Sequence, residues 1–278
     1  MSNVMVDCDW LNTHLGDKHL VLLDAFMLKI VGKEPIEYSE FITIPGALPL
    51  DIESDFCDNQ SAQLHALPTP QQFTKQLQKL GINNQTKVVI FDNQGIYSAP
   101  RAWWTFKVMG FDNVWVLDGG LPAWIEKGYP TSSAYAQETN SGDFAASYSP
   151  DKVIDYKALL SDLNNAQQLL VDARGRARFN AEVAEPRPGV RAGRIPNSVN
   201  LPFASLMDGN RFKSKQALSE LFFEIGASNV QRLVFSCGSG ITACILILAA
   251  HEIGLSDTIL YDGSWAEWGS NEALPLAD

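Results

Sequence analysis

Positive charge is scarce in this sequence. Its 21 Lys and Arg stand against 32 Asp and Glu, a formal net charge of -11 at pH 7. A surface of that sign repels a phosphate backbone, which excludes general binding to nucleic acid or to an anionic membrane. A local basic cluster holding a small anion remains open. Cysteine is scarce too: Cys8, Cys57, Cys237 and Cys244 are too few and too scattered for a disulfide scaffold. No two of them form a CxxC pair and there are only four histidines, so the sequence offers no metal site. Long apolar runs are missing as well. The longest, Ala243 to Ala250, is the size of one buried helix. The first residues carry neither a basic nor an apolar signal region. Together these absences lead us to expect a soluble, cytoplasmic chain.

What the chain does have is a copy of itself. KVVIFDNQG, a helical stretch ending MGF, and NVWVLDGGLPAW are answered by RLVFSCGSG, a stretch ending IGL, and DTILYDGSWAEW. A constant offset of 144 residues superposes Phe91 on Phe235, Gly110 on Gly254, Asp118 on Asp262, Gly119 on Gly263 and Trp124 on Trp268. Upstream, LLDAF around Asp24 answers LLVDAR around Asp172, and IPGALPLDI answers IPNSVNLPF. So many matches in one order mark a duplication. The domains are expected at 1–130 and 151–278. The Ser- and Ala-rich stretch 131–150, without apolar period, reads as the linker.

Each copy alternates short Val/Leu/Ile runs with amphipathic stretches. LVLLD, VVIFD and VWVLD, and then LLVDA, RLVFS and TILYD, read as parallel strands covered on both faces. Helices are expected over Thr69–Leu80, where Thr-Pro is a favourable start, and near Ser214–Ile225 and Thr242–Ile253. The fold class is therefore α/β, two tandem parallel sheets each with helices on both faces.

The copies differ chemically in one loop. Where the first has Asn93, the second has Cys237, followed by Gly238-Ser239-Gly240-Ile241-Thr242 and a helix. A strand, a glycine-rich turn and a helix start gather backbone N–H groups around one point and attract anions. A thiolate at such a mouth is stabilised and becomes a nucleophile. The other three cysteines read as core residues, which is where most free cysteines lie. The same loop fits a dinucleotide-binding G-x-G-x-x-A pattern, but it lies too near the C-terminus for a second mononucleotide half to follow. A phosphatase loop would need an arginine where Ala243 stands.

With these residues in place, the chain resembles the two-domain rhodanese family of sulfurtransferases over nearly its whole length. CGSGITAC is similar to the Cys-Gly-Ser/Thr-Gly-Val-Thr loop of the mercaptopyruvate branch, with Ile241 replacing valine. Thiosulfate-specific relatives instead carry arginine and lysine after the cysteine. The runs Ser98-Ala99-Pro100-Arg101 and Asp262-Gly263-Ser264-Trp265 also resemble family signatures. The resemblance implies tandem rhodanese-like domains with an inert first copy. It makes Cys237 the nucleophile and Gly238, Gly240, Ile241 and Thr242 part of the substrate cradle. Arg178 and Arg187 match two arginines that bind a small α-keto acid thiol; their alternative is surface pairing with Glu182 and Glu185. Arg174 looks like a brace for the loop. Ser239 and His65 match a relay completed by an acid, Glu53 or, failing that, Asp51, with the site between the domains. A lone loop histidine is otherwise a common surface residue.

The expected chemistry needs no cofactor and no metal. Sulfur would pass from 3-mercaptopyruvate to Cys237 as a persulfide and on to cyanide, a small thiol or a thioredoxin-like protein, releasing pyruvate. Thiosulfate as donor is the nearest alternative, and a non-catalytic sulfur-carrier or partner-binding module is a further one.

Overall fold

The structure, a computed structural model, describes residues 4–137 and 140–277. In the first half, β1 (Met5–Val6) and α1 (Cys8–His14) lead into β2 (Leu20–Phe26), β3 (Leu48–Asp51) and α2 (Pro70–Lys79). Then come β4 (Lys87–Phe91), α3 (Ala99–Val108), β5 (Val114–Leu117) and α4 (Gly120–Glu126). The second half runs β6 (Val153–Ile154), α5 (Tyr156–Ser161), β7 (Gln168–Asp172), α6 (Arg176–Phe179) and β8 (Ser198–Asn200). A hairpin of β9 (Met207–Asp208) and β10 (Arg211–Phe212) follows. Last are α7 (Lys215–Glu224), β11 (Arg232–Ser236), α8 (Ala243–Glu252), β12 (Thr258–Tyr261) and α9 (Ser264–Ser270).

Both large sheets have five strands, in the orders β1-β5-β4-β2-β3 and β6-β12-β11-β7-β8. Every pairing in them is parallel. The orders correspond strand for strand, with the hairpin as an insertion in the second half. Helices flank each sheet. In the first unit, Leu11 of α1 and Leu121 and Trp124 of α4 share a core with Val89 and Phe91. Phe73 of α2 packs edge-on against Phe106 of α3, 5.2 Å between ring centroids.

The helix starts follow local chemistry. Thr69 accepts the Gln72 N–H while the Gln72 side chain accepts from Thr69, with Pro70 at the first turn. Ser214 caps α7 through Ala217. Helix α8 is buried on every side from Ala243 to Ala250, consistent with its unbroken apolar run.

The chain divides into two compact units. The first comprises residues 1–58, 67–149 and 208–212, the second 59–66, 150–207 and 213–278. A short segment of each half therefore belongs to the unit built mainly by the other. The described part of 131–149 is strapped onto the first unit. Thr43 and Ser132 form an antiparallel bridge, Ala136 N–H donates to Ala47 O at 2.9 Å and Ser147 N–H to Met109 O at 3.0 Å. Phe144 is buried against Phe73 and Phe111. An extended strap held by backbone bonds and by two aromatic side chains, Phe144 and Tyr135, shows no apolar period. No helix among the described residues is long and apolar enough to cross a membrane.

Candidate active site

The site forms at the carboxyl ends of the second sheet's strands, where loops of parallel sheets carry ligands. Asp172 at the end of β7 lies in register with Ser236 at the end of β11, and Cys237 follows directly. Cys237 is 1% exposed. Its N–H donates to Ser264 Oγ at 3.1 Å, and its carbonyl accepts the Trp265 N–H at 2.9 Å. Gly238 O accepts the Ala266 N–H, also at 2.9 Å. The start of α9 thus holds the Cys237 peptide from both sides. Gly240 turns the loop at φ +77°, a conformation that favours glycine, and Cys244 donates its S–H to Gly240 O. Ile241 is buried, while Thr242 is half-exposed at the entrance to α8.

Two guanidinium groups converge on this loop. A Cβ placed on Gly238 would lie 3.2 Å from Arg178 Nη2 and 3.7 Å from Arg187 Nη1. Arg178 stands on α6 and is gripped by Glu185, which accepts from both its Nε and its Nη2. Glu185 also accepts from Arg174 Nη1 at 2.8 Å. Arg174 is buried, forked onto Asp172, bonded to Gly193 O and stacked 4.4 Å over Trp265. A chain of buried charges therefore runs from β7 through Arg174 and Glu185 to Arg178 and fixes its guanidinium at the loop. The ion pairing weighed from the sequence exists for Glu185, as the support that aims Arg178.

His65 Nδ1 lies 3.1 Å from Ser239 Oγ, and both belong to the second unit. His65 sits in the left-handed region at φ 54°. Glu53 belongs to the first unit, where its Oε2 accepts the Leu28 N–H. Asp51 turns its Oδ1 onto the N–H groups of Glu53 and Ser54 in its own turn. The other thiols are buried: burial pushes Cys8 up to about 11 and raises Cys57, which donates to Glu53 O. Neither has the surroundings of a reactive cysteine. A cavity of about 700 Å³ lined by Gln63, Leu64, Arg187, Glu267 and Asn271 opens beside the arginine, ample for a small acid.

Two local roles escape the linear sequence. Gln63 donates to Asp262 at 2.7 Å. Arg191 clamps the carbonyls of Trp268, Gly269, Asn271 and Leu274 behind α9.

Residues 7–127 and 155–271 each match the Rhodanese-like domain family. This chain belongs to the rhodanese family. It is 36% identical over 280 residues to 3-mercaptopyruvate sulfurtransferase of Escherichia coli K12, covering 98% of this chain and 96% of the relative. It is 34% identical over 297 residues to the mitochondrial thiosulfate/3-mercaptopyruvate sulfurtransferase 1 of Arabidopsis thaliana, covering 99% and 78%. Its structure matches the crystal structure of SseA from Escherichia coli, a 3-mercaptopyruvate sulfotransferase, with a TM-score of 0.83 and 32% identity over 95% of this chain and 99% of that one. As a member of this family the chain carries two rhodanese folds in tandem, and Asn93 holds the cysteine position in the first.

Proposed function

We propose that this chain is a 3-mercaptopyruvate sulfurtransferase with Cys237 as its nucleophile. The observation that carries the reading is the convergence of Arg178 and Arg187 on Gly238, one residue from Cys237. A guanidinium fork suits a carboxylate and its neighbouring carbonyl, and binding there turns the substrate's thiol toward the cysteine. Gly238 and Ser239 add no charge of their own, which suits this donor over thiosulfate. The names of the relatives support the same activity.

The Cys237 thiolate attacks the thiol sulfur of 3-mercaptopyruvate. An S–S bond forms, the carbon–sulfur bond breaks, and its electron pair leaves as the pyruvate enolate, which takes up a proton. We assign the backbone N–H groups of Gly238, Gly240, Ile241 and Thr242 to the cradle that holds the persulfide. His65, paired with Ser239, provides a group able to move a proton. An acceptor thiolate or cyanide then attacks the terminal sulfur and returns the Cys237 thiolate. We infer a cyanide, small-thiol or dithiol-protein acceptor.

Incubation with 3-mercaptopyruvate followed by intact-mass measurement should show a gain of one sulfur atom and release of pyruvate. Cys237→Ser should show neither; a variant that still turns over would overturn the mechanism. A thiosulfate kcat/KM equal to or above that for 3-mercaptopyruvate would reverse the donor assignment.

A further inference from the structure

Only four non-glycine residues among those described have positive φ: His65, Ala181, Asn197 and Ser264. Ser264, at φ 50°, is fully buried. Strained backbone of this kind persists only where its surroundings hold it, and it concentrates at functional sites. The repeat gives this strain a control. At the 144-residue offset Ser264 corresponds to Gly120, which adopts nearly the same φ of 54° without a side chain. In the first unit a Cβ there would strike Asp92 O at 2.4 Å and Gly95 O at 2.5 Å. The second unit keeps a Cβ where glycine would be relaxed, and the hydroxyl it carries is fully used. Ser264 Oγ accepts the Cys237 N–H at 3.1 Å and donates to Tyr261 O at 2.9 Å.

The helix start beyond it is also shifted. In the first unit Leu121 N–H donates to Asp92 O; in the second, the corresponding Trp265 N–H donates to Cys237 O, one residue further along the loop. Ser264 and Trp265 therefore hold the two ends of one residue, the cysteine.

We propose that Ser264 is a positioning residue for sulfur transfer: its hydroxyl fixes the Cys237 peptide so that the thiol's direction is set by the side-chain torsion alone. This rests on the reading of Cys237 as the nucleophile. It adds a residue that makes no contact with substrate and acts through the backbone of the one that does. Its effect belongs to the chemical step, because Arg178 and Arg187 hold the donor independently of it.

Ser264→Ala keeps the Cβ and removes the hydroxyl; Ser264→Gly removes both and relieves the strain, as Gly120 does in the first unit. Single-turnover persulfide formation is followed by rapid quench over a range of 3-mercaptopyruvate concentrations, with thermal melts of each protein. Both variants should lower the limiting rate roughly 10- to 100-fold. The half-saturating donor concentration should stay unchanged, and Ser264→Gly should melt above Ser264→Ala. A Ser264→Gly protein with the wild-type limiting rate would show that only the backbone conformation matters and would overturn the proposal. So would a loss confined to donor saturation. If wild-type protein itself forms no persulfide, it is the assignment of Cys237 that fails.

Discussion

Two loops related by the repeat have settled their electrostatics in opposite ways. After β4 the Asp92 carboxylate turns back under its own loop. Its Oδ2 accepts the N–H groups of Tyr97, Ser98 and Ala99 at 2.8, 3.0 and 2.9 Å, and its Oδ1 that of Gln94 at 2.8 Å. After β11 the corresponding residue is Ser236, whose buried Oγ has no hydrogen-bond partner among the described residues. The loop without a cysteine has filled its ring of donors with a carboxylate of its own. The loop with Cys237 has neutral Ser236 at that position, and in the function we propose its N–H groups serve a substrate or a persulfide instead. The first loop thus differs by more than Asn93 in place of cysteine: its N–H groups are tied to a carboxylate of the same loop.

The sharpest way to break this comparison is to remove the tie. Asp92→Ala leaves buried N–H groups without their acceptor, and we expect a loss of about 4 kcal/mol in unfolding free energy by denaturant titration. Persulfide formation on Cys237 by the protein that remains folded should continue. A loss below about 1 kcal/mol would mean that the carboxylate is not what holds the first loop.

The reverse exchange comes next in size. Ser236→Asp puts a carboxylate under the Cys237 loop, where it should compete for the loop's N–H groups as an intramolecular anion and set a negative charge beside the proposed nucleophile. The kcat/KM for 3-mercaptopyruvate should fall about 100-fold. Ser236→Asn, of similar size and neutral, separates charge from bulk. Equal losses in the two variants would show that the second loop does not work as an anion cradle.

Much of this contrast was legible in the sequence because it is written in residue types at fixed spacing. The duplication, the strand runs, the Thr69 and Ser214 caps and the exchange of cysteine for Asn93 all follow from local pattern. The convergence of Arg178 and Arg187 on Gly238 was accessible only through a resemblance, since spacing along a loop does not say where a guanidinium turns. Asp92 and Ser264 were in plain view yet silent. Their roles depend on a carboxylate folding back and on a backbone angle, and neither leaves a periodic mark. The stretch 131–150 reads as a linker in the sequence because backbone hydrogen bonds such as that between Thr43 and Ser132 carry no side-chain signature. Assignment of 59–66 and 208–212 to opposite units is a long-range event that no local propensity encodes.

The smallest expected effect lies at the neighbouring strands, where the copies differ again. Asp172 is neutralised by the Arg174 fork, but in the first copy the matching position holds Phe26, and Asp24 keeps only the hydroxyls of Thr43 and Tyr135 on its Oδ2. Its Oδ1 has no partner among the described residues, and burial pushes its carboxyl up to about 7. The unfolded chain releases that proton near its ordinary value of about 3.9. Between roughly pH 4 and 7 the folded state therefore binds more protons than the unfolded one, so Asp24 makes stability fall as pH rises through this window and level off above it. Asp24→Asn is neutral throughout and should remove that slope. Relative to wild type it should gain on the order of 2 kcal/mol in unfolding free energy between pH 5 and pH 8. Tyr135 belongs to the strap, so protease cleavage after residues 131–137 should become less pH-dependent in the same variant. If wild type and Asp24→Asn share one pH profile, the missing arginine left no electrostatic trace, and the copies differ only at their loops.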